Sequence, residues 1–170
     1  MRKMRRFKQI LSEDICLDVL KKGTHGVMAI MADDGYPYAV PINYYFDPEL
    51  RKIYFHGANK GMRWDYMKEQ PKVSFCVVDM DVNDPEHYST DFRSVICFGT
   101  ARVVEDEAEY YKALADLATK FTSEVHTNEE IVHQIDIERA QCGMTAIDVE
   151  FITGKEAIEL VRERRGEPRR

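Results

Sequence analysis

Six apolar segments with strand spacing, separated by short turns, constrain this 170-residue chain more than any other feature. The first runs from Thr24 to Ala32, where Val27, Met28, Ala29, Ile30 and Met31 are nearly continuous. Asp33-Asp34-Gly35-Tyr36-Pro37 reads as a hairpin turn, so the segment from Tyr36 to Phe46 is predicted to return antiparallel. Asp47-Pro48-Glu49-Leu50-Arg51 is a second turn and leads to a third strand beginning at Lys52. Lys72 to Asp79, Phe92 to Glu105 and Gly143 to Ile152 complete the set. The last of these alternates Met144, Ala146 or Ile147, Val149 and Phe151 with polar neighbours, the pattern of a half-buried strand. Strands joined mostly by hairpins leave exposed edges unless the sheet closes on itself, and a small barrel removes them. The expected fold class is mainly β with flanking helices, built on a six-stranded antiparallel barrel.

Two residues interrupt the strand patterns. Pro41 removes a ladder donor, so its strand needs either an edge or a bulge at that point. Gly99, within Phe92 to Glu105, marks a second bend or bulge. Residues 80–91 are polar and rich in turn formers and read as an exposed loop.

The helices flank this framework. Ser12 followed by Glu13 and Asp14 marks a helix start, and an apolar stripe of Ile15, Leu17, Val19 and Leu20 carries the helix over residues 12–22 to Gly23. A helix after Lys60 is predicted to end at Glu69, because Gln70 precedes Pro71. From Glu107, Tyr111, Leu114, Leu117, Ala118 and Phe121 fall at helical spacing and predict a core-facing helix. Short helices are expected at residues 128–140 and 155–165.

Composition bounds the rest. With 44% hydrophobic and 32% charged residues the chain has the make-up of a folded protein, and one domain over residues 1–170 is expected. The net charge of −6 repels a polyanion, which argues against nucleic acid as the main partner. Basic clusters do stand at residues 1–8 and 162–170, and both read as solvated terminal charge. No apolar run approaches the roughly 18 residues of a membrane span and no signal core follows the basic start, so no membrane partner and a cytoplasmic location are expected. Cys16, Cys76, Cys97 and Cys142 form no C-x-x-C pair and read as reduced structural thiols. The five histidines contain no H-E-x-x-H, and His126 with His133 is too loose a spacing for a metal pair, so no metal site is expected.

One stretch carries chemistry. Lys52 to Met67, KIYFHGANKGMRWDYM, opens as a strand, passes through His56, Gly57, Ala58, Asn59, Lys60 and Gly61, and enters a helix with Arg63 and Trp64. A helix start leaves backbone N–H groups unpaired, and two cations beside them make a place to hold a phosphate. Small residues at Gly57 and Ala58 let a ligand approach the backbone.

These residues also carry a resemblance. The D-D-G-x-P turn, V-P-I-N-Y from Val40, YFHGANKG from Tyr54 and RSVICFGTARVVED from Arg93 resemble the pyridoxamine 5'-phosphate oxidase-like FMN-binding split barrels, and within them most resemble the nitroimidazole-resistance proteins. The resemblance covers about Ser12 to Gly154. It implies a six-stranded split β-barrel that forms a homodimer, with a flavin in each of two clefts at the interface. FMN is the cofactor implied, with FAD as the alternative. Val40, Pro41, Ile42 and Asn43 would lie along the ring; His56, Gly57, Ala58, Lys60, Gly61 and Arg63 would receive the ribityl chain and phosphate; Ser94 and Val95 would come from the partner subunit. Met62 and Arg63 stand where relatives often carry two basic residues, which leaves the number of phosphate contacts open, with Lys60 as a second cation.

The implied function is a flavin-dependent oxidoreductase acting on a small molecule, with nitroimidazole-type or other small electron acceptors as substrates. The alternative is a non-catalytic flavin- or haem-binding protein on the same scaffold. His56 is either a catalytic group beside the cofactor, an axial ligand, or an inert strand-end histidine. Trp64 is either a core anchor or a stacking partner, and Asn43 either meets the ring or satisfies the backbone beside Pro41. Arg93 either pairs with a carboxylate or is solvated.

Overall fold

The computed structural model describes residues 4–169. Seven strands form one antiparallel sheet: β1 (His25–Met31), β2 (Pro37–Asn43), β3 (Tyr45–Asp47), β4 (Lys52–Ala58), β5 (Lys72–Asp84), β6 (Ser89–Val103) and β7 (Cys142–Glu156). Their hydrogen-bonded order is β2-β1-β5-β6-β7-β4-β3. The two ends of that order, β2 and β3, are consecutive pieces of the predicted return strand, separated only by Tyr44. The six-stranded reading therefore holds with one refinement: one strand bends at Tyr44 and supplies both edges of the split barrel.

Tyr44 is fully buried, its hydroxyl donates to the Leu20 carbonyl at 2.8 Å, and its N–H donates to the Thr24 carbonyl at 3.3 Å. Lys120 covers the bend from outside, 4.6 Å above the Tyr44 ring and 3.1 Å from its carbonyl oxygen. Pro41 pairs with Val27 in an uninterrupted register, so the edge position of β2, and not a bulge, accommodates its missing donor. Gly99 does sit at a register shift between β6 and β7, where a Cβ would lie 2.2 Å from the Asp148 carbonyl oxygen.

Five helices surround the sheet: α1 (Glu13–Lys22), α2 (Met62–Glu69), α3 (Glu107–Thr122), α4 (Asn128–Glu138) and α5 (Ile158–Arg164). Two apolar cores result. Met28, Ile42, Phe55, Phe75, Val77 and Cys97 fill the barrel with Leu20 of α1 and Trp64 of α2. On the opposite face of β4 and β7, Tyr54, Met144 and Ala146 meet Tyr110, Leu114 and Leu117 of α3 and Ile131 and Ile135 of α4. The first half of β7 is therefore buried on both faces, where its sequence predicts alternation. Tyr110, whose hydroxyl donates to the Cys142 carbonyl at 3.0 Å, anchors α3, and the predicted anchor Tyr111 is only partly buried. All four thiols are free, and burial pushes that of Cys97 up to about 12.

Two sequence expectations need correction. Residues 80–91 are not a loop: β5 and β6 continue through them as a two-stranded ribbon turning at residues 85–88. The ribbon is solvated on both faces along much of β5, so no apolar alternation marks it. The second correction concerns the basic C-terminus, which is paired at two of its arginines and exposed at Arg165. Arg164 pairs with the buried Glu156, and Arg169 holds both oxygens of Asp91, at 2.6 and 2.7 Å. Met1, Arg2, Lys3 and Arg170 of the predicted tails lie outside the described residues. Arg93 also pairs, with Asp79 at 3.1 Å and Glu156 at 3.5 Å.

The outward face of the sheet stays open. Register places Val27, Cys76, Ile96 and Thr153 in one row across β1, β5, β6 and β7, and Ala29, Ser74, Phe98 and Phe151 in the next. Val27, Met31, Val78 and Phe151 are exposed there, an apolar area without cover.

Glu109 on α3 joins the helix to the sheet, accepting from Arg102 at 2.6 Å, Tyr54 at 2.8 Å and Lys52 at 3.1 Å. Arg102, more than the other two, draws its carboxyl down from 4.5 to about 2 against the opposing effect of burial. Between those values the unfolded chain binds the extra proton, so this contribution to stability is complete above about pH 4.5 and fades as pH falls toward 2. Glu109→Gln is expected to flatten the acid limb of a melting-temperature profile between pH 5 and 2. An unchanged slope would remove Glu109 from acid sensitivity.

Candidate functional site

The strand-to-helix connection after β4 forms one half of the site. Along β4, Phe55 faces the barrel interior and Tyr54 the α3–α4 side, so His56 follows Tyr54 and Gly57 follows Phe55. Gly57 has no side chain because another group fills its place: a Cβ would lie 2.2 Å from Nη2 of Arg63. The Arg63 guanidinium spreads over this gap and over the Phe55 ring, 5.3 Å from its centroid. Burial lowers its pKa, with Tyr38 acting in the opposite direction, and no carboxylate contributes. A half-buried guanidinium without an acidic partner among the described residues has donors left for an anion.

The helix start adds more donors. Gly61 precedes α2 with φ of 106°, a conformation that favours glycine, and its carbonyl accepts from Trp64 and Asp65. The N–H groups of Met62 and Arg63 precede the first intrahelical bond and are open to a ligand. Lys60 and Ala58 stand exposed beside them. Trp64 is a core anchor: it is 8% exposed and packs on Gly143, where a Cβ would lie 2.6 Å from its ring.

The predicted ring segment lies on edge strand β2. Val40 and Ile42 face the barrel, Ile42 being buried, whereas Pro41 and Asn43 point outward and are exposed. Ser94 is partly exposed in the outward row with Val78 and Lys155. Val95 is fully buried in the barrel core, so only its backbone could serve a ligand, and that backbone pairs with Val77 and Gly154.

Asn43 and His56 come together at a second feature. They border a pocket of about 670 Å³ between the sheet and the α3–α4 pair. Leu114, Leu117, Phe121, Ile131 and Ile135 make its apolar walls, and His126, Glu130, His133 and Glu138 stand among its polar lining. Sequence spacing marks the α3 residues as core. In the structure Leu114 and Leu117 are buried in the second core, as that spacing predicts, and their stripe continues through Ala118 to Phe121, 40% exposed, at the edge of the pocket. The missed signal lies in α4: Thr127 and Glu130 form a reciprocal capping box, which fixes the helix start and so the face carrying Ile131 and Ile135. Among the described residues no three His, Cys, Asp or Glu side chains are grouped to hold a metal, and no helix is long and apolar enough to cross a membrane.

Comparison with known proteins adds to this geometry. Residues 12–156 match the family model described as pyridoxamine 5'-phosphate oxidase. No curated protein gives a significant match. Among solved structures, the chain is similar to a conserved hypothetical protein of Mycobacterium tuberculosis at 18% identity and a TM-score of 0.73, covering 99% of this chain and 96% of that one. A candidate 5-nitroimidazole antibiotic resistance protein of Bacteroides thetaiotaomicron is similar at 18% identity and 0.69, covering 86% of each chain. An FAD and heme binding protein of Mycobacterium smegmatis is similar at 23% identity and 0.65, covering 88% of this chain and 73% of that one. Likeness at these identities shows a shared fold.

The packing of Arg63 on Gly57 generates a prediction. Gly57→Ala should displace the guanidinium, the movable end of a flexible side chain, at little cost in stability, and so shift the Nε–Hε NMR resonance of Arg63, whereas Lys60→Ala should leave that resonance in place. An unchanged Arg63 resonance in Gly57→Ala would show that Arg63 does not occupy this gap.

Proposed function

The chain belongs to the pyridoxamine 5'-phosphate oxidase family, and on that premise we propose that it is a flavin-binding oxidoreductase acting on small electron acceptors, nitroimidazole-type compounds among them. The observation that carries this reading is Arg63: a half-buried guanidinium with no carboxylate partner, at an open helix start, over a glycine that gives it room. A flavin phosphate needs charge-assisted donors, and Arg63, Lys60 and the first N–H groups of α2 supply them. The residues therefore fit the group that the family implies. We assign FMN, with FAD as the alternative, because a terminal phosphate monoester places nearly two charges at one cationic corner.

The bound flavin would supply the electron transfer. The protein's part is positioning. The open edge of β2 along Pro41 presents unpaired main-chain groups to a polar ring edge, while Asn43 and His56 border the ring end. His56, an exposed imidazole beside the pocket, can hold or pass a proton there.

A homodimer belongs to the same proposal. The uncovered apolar rows on the outer sheet face, with Val27, Val78 and Phe151, suit burial against a second copy. Ser94 stands on that face beside Val78, which supports its assignment to the partner's cleft. The four unpaired cysteines suit a reducing compartment, and the cytoplasm is the one proposed.

A non-catalytic haem-binding reading rests on one observation, the exposed His56 at the pocket. No lysine or arginine lines that pocket to meet haem propionates, which favours the flavin. A Soret band that vanishes in His56→Ala would reverse this preference.

In a fluorescence-quenching titration the protein should take up FMN, and Arg63→Ala should weaken binding tenfold or more, since a charge-assisted contact is worth about 1.5–3 kcal/mol. A colourless purified protein that quenches no flavin would overturn the assignment. Intact FMN affinity in Arg63→Ala would move the phosphate elsewhere.

A further inference from the structure

The pocket under α3 and α4 differs in chemistry from the Arg63 corner, and the difference identifies a second ligand. Its lining contains no lysine or arginine. Of its carboxylates, Glu130 is engaged by the Thr127 N–H at 2.8 Å in the capping box, and Glu138 accepts from Gln134 at 2.6 Å. An anion entering this space would meet two carboxylates and no lysine or arginine, at a large desolvation cost, and of the histidines away from the sheet end His126 already faces Glu130 at 3.6 Å while His133 stands on α4. The remaining polar groups at the sheet end are Asn43 and His56, an amide and an imidazole that can each donate, and neither has a side-chain hydrogen-bond partner among the described residues.

The walls set the ligand's shape. Leu114, Leu117, Ile131 and Ile135 are nearly sealed from solvent, and half-exposed Phe121 offers a ring face at one side. Ala118 stands one helical turn from Leu114 and, with Phe121, lines the same space. Its small side chain leaves the room that a larger one would fill. A volume of about 670 Å³ is ample for a fused bicyclic ring, and it lies within the range of small-molecule sites.

We propose that this pocket binds a neutral, flat aromatic molecule whose single hydrogen-bond acceptor meets His56 and Asn43. The site takes its ligand without flavin, and its apolar walls are separate from the phosphate corner. Asn43 and His56 line this pocket and are also the residues that the flavin reading puts at the ring end.

Isothermal titration of the purified full chain with 2-acetonaphthone, a neutral ketone, tests this against 2-naphthoate, its anionic counterpart. Saturable binding of one ketone per chain is expected, with the carboxylate at least tenfold weaker. Ala118→Phe and the milder Ala118→Leu should each weaken the ketone tenfold or more while retaining FMN affinity. His56→Ala should weaken it severalfold, and Arg63→Ala should leave it unchanged. In the unaltered protein, methyl chemical-shift changes should concentrate at Leu114, Leu117, Ile131 and Ile135, a readout that does not depend on any variant folding. Absence of saturable ketone binding, equal affinity for the naphthoate, or shift changes elsewhere would overturn the proposal. So would a loss of FMN affinity in Ala118→Phe as large as the loss of ketone affinity, because the pocket would then be the flavin's own seat. Loss of FMN binding in Arg63→Ala with ketone binding intact separates the two sites.

Discussion

The buried bend at Tyr44 is the constraint from which the rest of the architecture follows. One strand begins on β1 and ends on β4, and it can do so only if the residue between its halves is held out of both ladders. Tyr44 achieves this with a fully buried ring, a hydroxyl on Leu20 and a backbone bond to Thr24, so the end of α1 and the start of β1 are tied to the same residue. Lys120 holds the other side, half-buried against the Gly23 and Tyr44 carbonyls, and burial lowers its pKa. A buried ammonium without a carboxylate is costly, and here two carbonyls and an aromatic face take the place of water. Asn43 is the last residue before the bend, and the bend brings it to the same pocket as His56.

Charge is distributed around this frame in a way that separates two chemistries. Arg63 and Lys60 stand at the start of α2, where open N–H groups add to their field, whereas the α3–α4 pocket carries apolar walls and no lysine or arginine. The alternation of β4 produces the separation. Gly57 and its Arg63 cover belong to the barrel side, and His56 belongs to the helix side, although the residues are adjacent. A molecule held by its phosphate at Arg63 and reaching toward His56 would therefore pass from a cationic corner to an apolar mouth. Fold and family leave the choice of substrate to that mouth.

Sequence patterns identified the strands because period-two burial and turn chemistry are properties of neighbouring residues. They missed the ribbon over residues 80–91 because strands solvated on both faces carry no such period. They read Arg169 as solvated because its partner Asp91 lies 78 residues away in sequence. In the candidate site, the stretch from His56 to Arg63 was legible as a strand opening through small residues into a helix with cations. Its partner at Asn43 was legible only through resemblance, and the walls from Leu114 to Ile135 read as ordinary core.

The sequence by itself determined an antiparallel β protein with helices at set places and a phosphate-suited turn after β4, since each of these depends on contacts a few residues apart. Only the tertiary structure decided that Arg63 fills the space above Gly57, that Val95 is sealed inside the barrel, and that Leu114 to Phe121 face a pocket. Those outcomes depend on which faces meet. The covering face of α3 closes over β4, Glu109 meeting Tyr54 from 55 residues away, and no local pattern encodes how completely two such surfaces fill the space between them.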